Sequence, residues 1–459
     1  MGSGTVYVFL RKTQCLRLRR YLVSSLTFTS CRSYLWVVNE DGYKKDIEMG
    51  VRTSTSRKRT RRPSADPWSI RTIAVRGKRP GVALGNDRTN RAACPIPSCK
   101  AARDLFVWKR LDIPIYARIW SFITHTLGQR IADLEGASAG LVFASGMAAI
   151  HAVIHYVLFK NTRWKPGKKI PHGVVVCAVY GGTVSLLTRR IRGARFTFIH
   201  SSRFLRRIEK AIQPGVTKFI FLESLPNPIP DLADIKAIAA LAHKYKIELI
   251  VDNTLAPTLV RPIELGATIV VYSLTKHFGN GYDIGGAVVG QKETMLAILK
   301  GVHRDFGACM SAAVAEHMLE NIAYLPLVMR SASESAAQIA EFLSKQRGIK
   351  CVHYPSKDKM PEGGGVVVSF EVANKRVAHK LIDSLKVFVI AANMGGAFSL
   401  VILSPETTHG PSVMTNLQRK RAGIADGLIR LSIGWEDPRL LMTDLRQGLR
   451  KAVGPVRAR

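Results

Sequence analysis

Acidic residues are scarce in this chain of 459 residues: 33 Asp and Glu stand against 68 Lys and Arg, a formal net charge of +35. So few acids argue against the ion-pair networks of thermophilic proteins. A large positive surplus attracts polyanions whether or not binding them is the function. Nucleic-acid binding is therefore one hypothesis. However, the sequence has no zinc-finger spacing and no glycine- and aromatic-rich RNA signature, so we expect no specific nucleic-acid partner.

Cysteine is also sparse, with seven residues scattered along the chain and no C-x-x-C pair. This pattern fits neither a disulfide framework nor a zinc site, so we predict free thiols and no metal. Free thiols indicate a reducing compartment, and we expect a cytoplasmic protein. Residues 1–38 contain no acid and are rich in Arg and Ser, which leaves organellar targeting as an alternative.

Long hydrophobic runs are limited to residues 139–159, which lack Asp, Glu, Lys and Arg. A run of this length can span a bilayer. It is interrupted by Ser145, Gly146, His151 and His155, which are costly or disruptive in a membrane span. We predict a buried loop and helix in a soluble protein without membrane contact.

From residue 128 onward, apolar runs alternate with amphipathic segments, a pattern that predicts an α/β fold with a mostly parallel sheet covered by helices. The predicted strands are residues 218–222, 248–251, 268–272 and 287–289. We predict a helix over 234–245 and a long helical region over 309–345. A smaller strand-and-helix section follows, containing 366–370, 377–385 and 428–433.

Two polar residues lie just beyond the ends of predicted strands. Asp252 comes directly after the apolar run at 249–251, and Lys276 lies four residues after the end of the run at 269–272. In parallel sheets, ligands bind beyond the carboxyl ends of the strands. A desolvated lysine can form an imine with a carbonyl, and a carboxylate can hold a pyridine nitrogen protonated; pyridoxal phosphate (PLP) requires both. Taken singly, such an acid is more often a helix cap and such a lysine a solvated charge.

The PLP phosphate needs an anion site, and the segment ASGMA at 144–148 offers one. It stands at the start of an apolar helix, where free backbone N–H groups and the helix dipole favour an anion. The hydroxyls of Ser273 and Thr275 are further candidate donors.

Five segments carry a family resemblance: YARI at 116–119, ADLEGASAGLVFASGMAAI at 132–150, YGGT at 180–183, VDNTLAPTLVRPIELGATIVVYSLTKHFGNGYDIGGAVVG at 251–290, and LIRLSIGWEDPRLLMTDLRQGL at 428–449. They resemble the trans-sulfuration enzymes of cysteine and methionine metabolism, which include cystathionine γ-synthase, homoserine sulfhydrylases and cystathionine and methionine γ-lyases. The resemblance covers residues 71–459. It implies PLP fold type I, with a smaller C-terminal α/β domain.

Carried over residue by residue, the resemblance implies that Lys276 is the imine-forming lysine, Asp252 pairs with the pyridine nitrogen and Tyr180 stacks on the ring. It implies that Arg430 grips the substrate α-carboxylate. The remaining implied site residues are Gly146, Met147, Ser273 and Thr275 at the phosphate, Asn227 near the phenolic oxygen, and Asn393 at the substrate.

The resemblance also implies a homodimer or homotetramer, because Tyr116 and Arg118 of one subunit would reach the phosphate bound by its neighbour. We therefore expect four regions. They are a disordered basic extension (1–70), an arm (71–127), a PLP-binding domain (128–325) and a small domain (326–459).

The chain departs from the family pattern at 120–124, where WSFIT replaces a Gly-Asn-Pro-Thr turn, and it is shorter than the pattern between 354 and 363. The first change bears on the active-site entrance.

The expected reaction is γ-replacement on an O-activated homoserine by a thiol or sulfide. This expectation rests on AANMGG at 391–396 and TTH at 407–409, which resemble the homoserine sulfhydrylase branch. In that branch Asn, here Asn393, replaces the serine common in lyases, and Ala392 stands where many cystathionine-handling members have Glu. The alternatives are γ-elimination to a keto acid, ammonia and a thiol, and, in another class, an inactive relative or a basic polyanion-binding protein.

Overall fold

The computed structural model describes residues 96–109, 114–160, 169–176, 179–201 and 204–453, together with the backbone of five strands between residues 5 and 48. The chain divides into two compact units, residues 1–80 and 81–459.

The first unit contains strands β1 (Thr5–Leu10), β2 (Gln14–Arg19), β3 (Leu22–Thr29), β4 (Arg32–Val38) and β5 (Lys44–Glu48). β1 and β2 pair antiparallel, and β3, β4 and β5 form a second antiparallel sheet. The expected disordered basic extension at 1–70 thus contains paired strands. β1, β3 and β4 are rich in Val, Leu, Tyr, Phe and Thr, most of which favour strands.

The strands of the second unit are β6 (Ala139–Phe143), β7 (His172–Val176), β8 (Arg195–Ile199), β9 (Thr217–Glu223), β10 (Glu248–Asp252), β11 (Ile269–Ser273), β12 (Gly286–Gly290), β13 (Cys351–His353), β14 (Val367–Glu371), β15 (Val389–Ile390), β16 (Leu400–Leu403) and β17 (Leu428–Ser432).

Its α-helices are α1 (Cys99–Phe106), α2 (Phe122–Glu135), α3 (Gly146–Phe159), α4 (Gly181–Ser185), α5 (Leu205–Ala211), α6 (Ile235–Lys244), α7 (Lys292–Ile298), α8 (Arg304–Phe306), α9 (Ala312–Asn321), α10 (Leu325–Ser344), α11 (Lys375–Ile382), α12 (Asn416–Arg421) and α13 (Pro438–Val453). Short π-helices cover Leu186–Arg190 and Leu299–His303, and a 3-10 helix covers Ser404–Glu406.

The larger sheet has seven strands in the order β6-β12-β11-β10-β9-β7-β8. The pairings from β11 to β8 are parallel, and β12 alone runs antiparallel to its neighbours β11 and β6. Separate apolar clusters pack on its two faces. The predicted mostly parallel sheet covered by helices is confirmed, and β9, β10, β11 and β12 lie where the sequence predicted strands.

The smaller sheet has five strands in the order β13-β14-β17-β16-β15, all antiparallel except the β15–β16 pair. A third apolar cluster lies between this sheet and helices α10, α11 and α13. The expected smaller C-terminal α/β section therefore forms. The predicted helical region at 309–345 forms as two separate helices, α9 and α10, and Pro326 stands in the first turn of α10.

The apolar run at 139–159 folds as strand β6 and helix α3, separated at Ala144 and Ser145. The predicted helix forms, whereas the first part of the run is a strand and only Ala144 and Ser145 form a connecting loop. Across the described part of the chain, no helix is both long and apolar enough to cross a membrane.

Candidate active site

A cavity of about 310 Å³ lies where β9, β10 and β11 end, beside the start of α3. Its walls come from both sheets, because Arg430 of β17 also lines it. The lining residues are Ser145, Gly146, Met147, Ile150, Tyr180, Glu223, Leu225, Asn227, Asp252, Thr254, Leu255, Ser273, Thr275, Lys276, Ala392, Met394, Thr408 and Arg430. Nine of the predicted site residues are among them.

Asp252 is the last residue of β10 and is buried at this cavity. Its Oδ1 accepts hydrogen bonds from the Thr254 backbone N at 3.0 Å and from Thr254 Oγ1 at 2.5 Å. Burial raises the pKa of the Asp252 carboxyl, and the two donors of Thr254 oppose that rise because they stabilise the charged form.

Lys276 follows the end of β11 and reaches the part of the chain that leads into the smaller sheet. Its Nζ donates to Asn393 Oδ1 at 2.8 Å. Burial, together with the nearby Arg430 guanidinium, lowers the pKa of Lys276 to about 8. A lysine in this state is partly deprotonated near neutral pH, so its amine can act as a nucleophile or a base.

The start of α3 provides backbone donors. Ser145 caps this helix by accepting the Ala148 N–H at 3.1 Å, and its carbonyl accepts the Ala149 N–H. The N–H groups of Gly146 and Met147 have no acceptor among the described residues. A Cβ on Gly146 would lie 2.6 Å from the Cβ of Ser273, so only glycine allows the helix to start this close to β11.

Ser273 and Thr275 also line the cavity. Thr275 Oγ1 accepts the Gly285 N–H at 3.1 Å and lies 3.3 Å from the Gly285 carbonyl oxygen. The Ser273 backbone N donates to Thr254 Oγ1 at 2.8 Å, which leaves the Thr254 hydroxyl hydrogen free to bond to Asp252.

Arg430 is 1% exposed in the middle of β17. Its Nη1 donates to Asn227 Oδ1 at 3.2 Å and its Nη2 to the Asn393 carbonyl oxygen at 2.9 Å. Its Nε has no hydrogen-bond partner among the described residues. Burial lowers the pKa of Arg430 to about 10, and among the described hydrogen bonds its guanidinium meets only the neutral oxygens of Asn227 and Asn393. A bound carboxylate would supply the missing counter-charge.

Tyr180 and Asn227 flank the cavity and share one contact, the carboxyl of Glu223. Glu223 Oε1 accepts the Tyr180 backbone N–H at 2.5 Å, and Oε2 accepts the Asn227 N–H at 3.2 Å. The peptide bond between Asn227 and Pro228 is cis. Tyr180 is 44% exposed.

Two predicted site residues lie elsewhere in this chain. Tyr116 and Arg118 are exposed on the arm and do not line the cavity. The Arg118 guanidinium lies over the Tyr116 ring, 5.5 Å from its centroid, and donates to the carbonyl of Arg304.

The altered segment at 120–124 forms the start of α2. Ser121 Oγ accepts the Thr124 N–H at 3.3 Å, and Thr124 Oγ1 accepts the Ser121 N–H at 2.8 Å, a capping box. Trp120 and Thr124 line a separate cavity of about 80 Å³ and do not touch the main one. Helix α2 also continues across the expected boundary between residues 127 and 128.

Sequence reasoning did not select Glu223, Thr254, Thr408 or Met394, which all line the cavity. Glu223 carried the same signal as Asp252, an acid at the end of an apolar run. Thr408 and Met394 lie in loops next to the smaller sheet, where no strand-end pattern marks them.

No group of three or more His, Cys, Asp and Glu side chains suited to a metal exists among the described residues. Cys99, Cys309 and Cys351 are free thiols.

Solved structures share this fold. A Campylobacter jejuni protein described as an O-acetylhomoserine (thiol)-lyase, solved with N'-pyridoxyl-lysine-5'-monophosphate, superposes with a TM-score of 0.72 at 28% identity, covering 79% of this chain and 94% of that one. Cystathionine gamma-lyase from Lactobacillus plantarum, solved with L-serine, superposes with a TM-score of 0.70 at 28% identity, covering 80% and 93%. These neighbours confirm PLP fold type I.

Characterised relatives are similar over most of their length. Cystathionine gamma-lyase of Bacillus subtilis is 32% identical over 382 residues, which is 80% of this chain and 97% of the relative. O-succinylhomoserine sulfhydrylase of Pseudomonas aeruginosa is 34% identical over 349 residues, 73% and 83% of the two chains.

The sequence model of one family, the Cys/Met metabolism PLP-dependent enzymes, matches residues 100–450, which include every predicted site residue. With a buried lysine, a strand-end carboxylate and free helix N–H groups at one cavity, this chain belongs to the Cys/Met metabolism PLP-dependent enzymes.

Proposed function

We propose that the chain catalyses γ-replacement on an O-activated homoserine, in which a thiol or sulfide takes the place of the activating group. The surroundings of Lys276 carry this proposal. Its amine bonds to the neutral amide of Asn393, and Ala392 lines the cavity beside it. Among the described lining residues the only carboxyl groups are Glu223 and Asp252. A second substrate ammonium group, as in cystathionine, would find no anionic partner beside Lys276.

The residues at the cavity fit PLP. The free N–H groups of Gly146 and Met147 suit a phosphate at the start of α3, and the hydroxyls of Ser273 and Thr275 lie beside them. The buried Asp252 carboxylate would pair with the protonated pyridine nitrogen, and the partly exposed ring of Tyr180 would stack on the cofactor ring. Asn227 would approach the phenolic oxygen. Bound PLP supplies an electron sink for negative charge that develops at the substrate carbons.

Arg430 would bind the substrate α-carboxylate through its planar guanidinium. Its contacts to Asn227 and to the Asn393 carbonyl fix the plane of the guanidinium, and its unpartnered Nε adds a donor. Since Arg430 is buried without a carboxylate partner among the described residues, an incoming carboxylate gains a strong, charge-assisted contact. This contact selects α-amino acids and orients the Cα–H bond.

Lys276 would move the protons. A pKa of about 8 lets its amine accept the Cα proton at neutral pH and later return a proton. A second proton would pass from Cβ to a basic group at the cavity, either the Lys276 amine or Tyr180, and the γ-substituent would leave Cγ as its carboxylate anion. A sulfur nucleophile then adds at Cγ, and the same groups return the protons to Cβ and Cα.

A homodimer or homotetramer would complete each site. Tyr116 and Arg118 are exposed on the arm and absent from the cavity of their own chain, so they are available to a neighbouring subunit. An arginine from a partner would add positive charge at the phosphate end of the cavity.

Product analysis tests the reaction. Purified PLP-loaded protein is mixed with O-acetylhomoserine or O-succinylhomoserine, with and without sulfide. The proposal expects homocysteine that depends on sulfide, and no product from Lys276→Ala. Keto acid and ammonia formed at the same rate without sulfide would overturn it in favour of γ-elimination, the activity of the relatives named as γ-lyases.

A further inference from the structure

Glu223 and Asp252 form a pair of buried carboxyl groups. They are the last residues of neighbouring parallel strands, β9 and β10, and they occupy paired positions in the register. Paired residues of adjacent strands project to the same face of a sheet. Both line the cavity, and they are 5% and 8% exposed.

The two carboxyl groups differ in their partners. Asp252 receives a hydroxyl and an N–H from Thr254, next to it in sequence. Glu223 receives two backbone N–H groups, from Tyr180 at 2.5 Å and Asn227 at 3.2 Å. These contacts hold two segments that are far apart in sequence. Asn227 in turn accepts from Arg430, so Glu223 supports the ring-stacking side and the carboxylate-binding side of the site together.

Ionising both of two adjacent buried carboxyl groups is unfavourable, because the two negative charges repel each other and neither is solvated by water. Burial raises the pKa of both carboxyl groups, and two hydrogen-bond donors oppose the rise at each: Thr254 at Asp252, and the Tyr180 and Asn227 backbones at Glu223. The charge of the neighbouring Asp252 raises the pKa of Glu223 further. Among the described hydrogen bonds, neither carboxyl receives one from a cationic side chain. The proton of the pair therefore resides more favourably on Glu223.

The other ionisable groups around the cavity do not change this assignment. Lys276 bonds to Asn393, and Arg430 bonds to Asn227 and to the Asn393 carbonyl. The tyrosine hydroxyl of Tyr180 is the remaining ionisable group of the lining. Burial keeps the imidazoles of His277 and His409 uncharged, with pKa values lowered to about 3 and about 4.

We propose that Glu223 is a positioning residue of the cofactor site: its carboxyl group holds the Tyr180 and Asn227 backbones in place and carries the proton of the Glu223–Asp252 pair, so that Asp252 alone is charged. The proposal rests on the PLP site described above. It implies that removing the acidity of Glu223 leaves the charge of the site unchanged, whereas removing its oxygen atoms loosens the site.

The test follows the pH titration of the visible absorption band of the bound cofactor, without substrate, in Glu223→Gln, Glu223→Ala, Asp252→Asn and wild type. Removing the charge of a carboxylate beside the cofactor should shift the pKa reported by the cofactor's absorption band by about 1–3 units. We expect such a shift in Asp252→Asn and none in Glu223→Gln. A shift in Glu223→Gln as large as that in Asp252→Asn would show an ionised Glu223 and overturn the proposal.

Cofactor affinity tests the positioning role. Loss of two hydrogen bonds in Glu223→Ala should raise the apparent Kd for PLP roughly tenfold or more, with a smaller rise in Glu223→Gln, which retains one acceptor oxygen. Wild-type affinity in Glu223→Ala would overturn this role. Glu248→Gln, a change at the other end of β10, is the matched control and should behave as wild type.

Infrared spectra of the cofactor-free protein give a readout without PLP. At a pH below neutral, the infrared band of protonated carboxyl groups should be weaker in Glu223→Gln than in wild type, and unchanged in Glu248→Gln.

If Glu223→Gln does not fold, wild type with carbon-13-labelled glutamate is used instead. Contributions from both Glu135 and Glu223 are then expected, because burial raises the pKa of Glu135 to about 7; a single contribution contradicts the proposal. A wild type without any visible band would instead be a failure of cofactor binding.

Discussion

Lys276 and Asn393 meet across the two sheets, with Lys276 Nζ 2.8 Å from Asn393 Oδ1. The lysine follows β11 of the larger sheet, and the asparagine lies between β15 and β16 of the smaller one. The reactive amine is therefore oriented by a neutral partner from the smaller sheet. A neutral amide oxygen stabilises the protonated amine less than a carboxylate would.

Asn393→Asp should raise the pKa of Lys276, because a carboxylate at this distance favours the ammonium form. In the cofactor-free protein, the rate of Lys276 modification by an amine-specific reagent depends on the free amine and should rise with pH through about 8 in wild type. The midpoint should move upward by about 1–3 pH units in Asn393→Asp. Asn393→Ala adds no charge and serves as the control; an equal upward shift there would contradict the electrostatic explanation.

Arg430→Lys should lower kcat/KM by about 100-fold, mainly through KM, because a lysine cannot reproduce the planar two-point contact with a carboxylate. Steady-state kinetics with the homoserine ester measure this directly. Arg439→Lys is the matched control, since Arg439 is exposed and pairs with Asp437. Unchanged kcat/KM in Arg430→Lys would remove Arg430 from substrate binding.

Gly146→Ala should cost about 1–3 kcal/mol of unfolding free energy and weaken PLP binding. The new Cβ would lie 2.6 Å from the Cβ of Ser273, so α3 must move away from β11. Gly301→Ala is the control, because a Cβ there meets nothing within 4 Å. Denaturant unfolding and PLP titration report the two effects. Equal stability of the two variants would show that the close approach is not required.

Subunit mixing tests the shared site. Arg118→Ala and Lys276→Ala should each be nearly inactive alone. If Arg118 acts in the neighbouring subunit, random mixing after dissociation should restore about a quarter of wild-type activity, because half of the dimers are mixed and each has one intact site. No recovery, with mixed dimers demonstrated by differently tagged subunits, would place Arg118 outside the site of the partner.

The sequence predicted the parts of the site that follow buried strands. Asp252 and Lys276 were identified because apolar runs end beside them, and β9, β10 and β11 form where these runs lie. Glu223 ended a similar run but was overlooked, because its partner Tyr180 is 43 residues away and only the fold brings them together. Strand β8 was not predicted, since Arg195 and an edge position give it no continuous apolar run.

The break between α9 and α10 shows another limit. The segment 309–345 is helical in its periodicity throughout, yet the chain leaves the helix at 322–324 and restarts at Leu325 with Pro326 in the first turn. A proline is favoured in the first turn of a helix, so Pro326 is compatible with a new start at Leu325 as well as with the end of the helix before it.

The absorption spectrum of the purified protein with PLP, before and after borohydride, tests the central claim most directly when compared with Lys276→Ala. The account predicts a visible band in wild type that is lost on reduction, with the cofactor then covalently attached at Lys276, and no such band in the variant. Absence of a band in wild type with added PLP, or an equal band in Lys276→Ala, would contradict the assignment of Lys276 and this cavity as the PLP site.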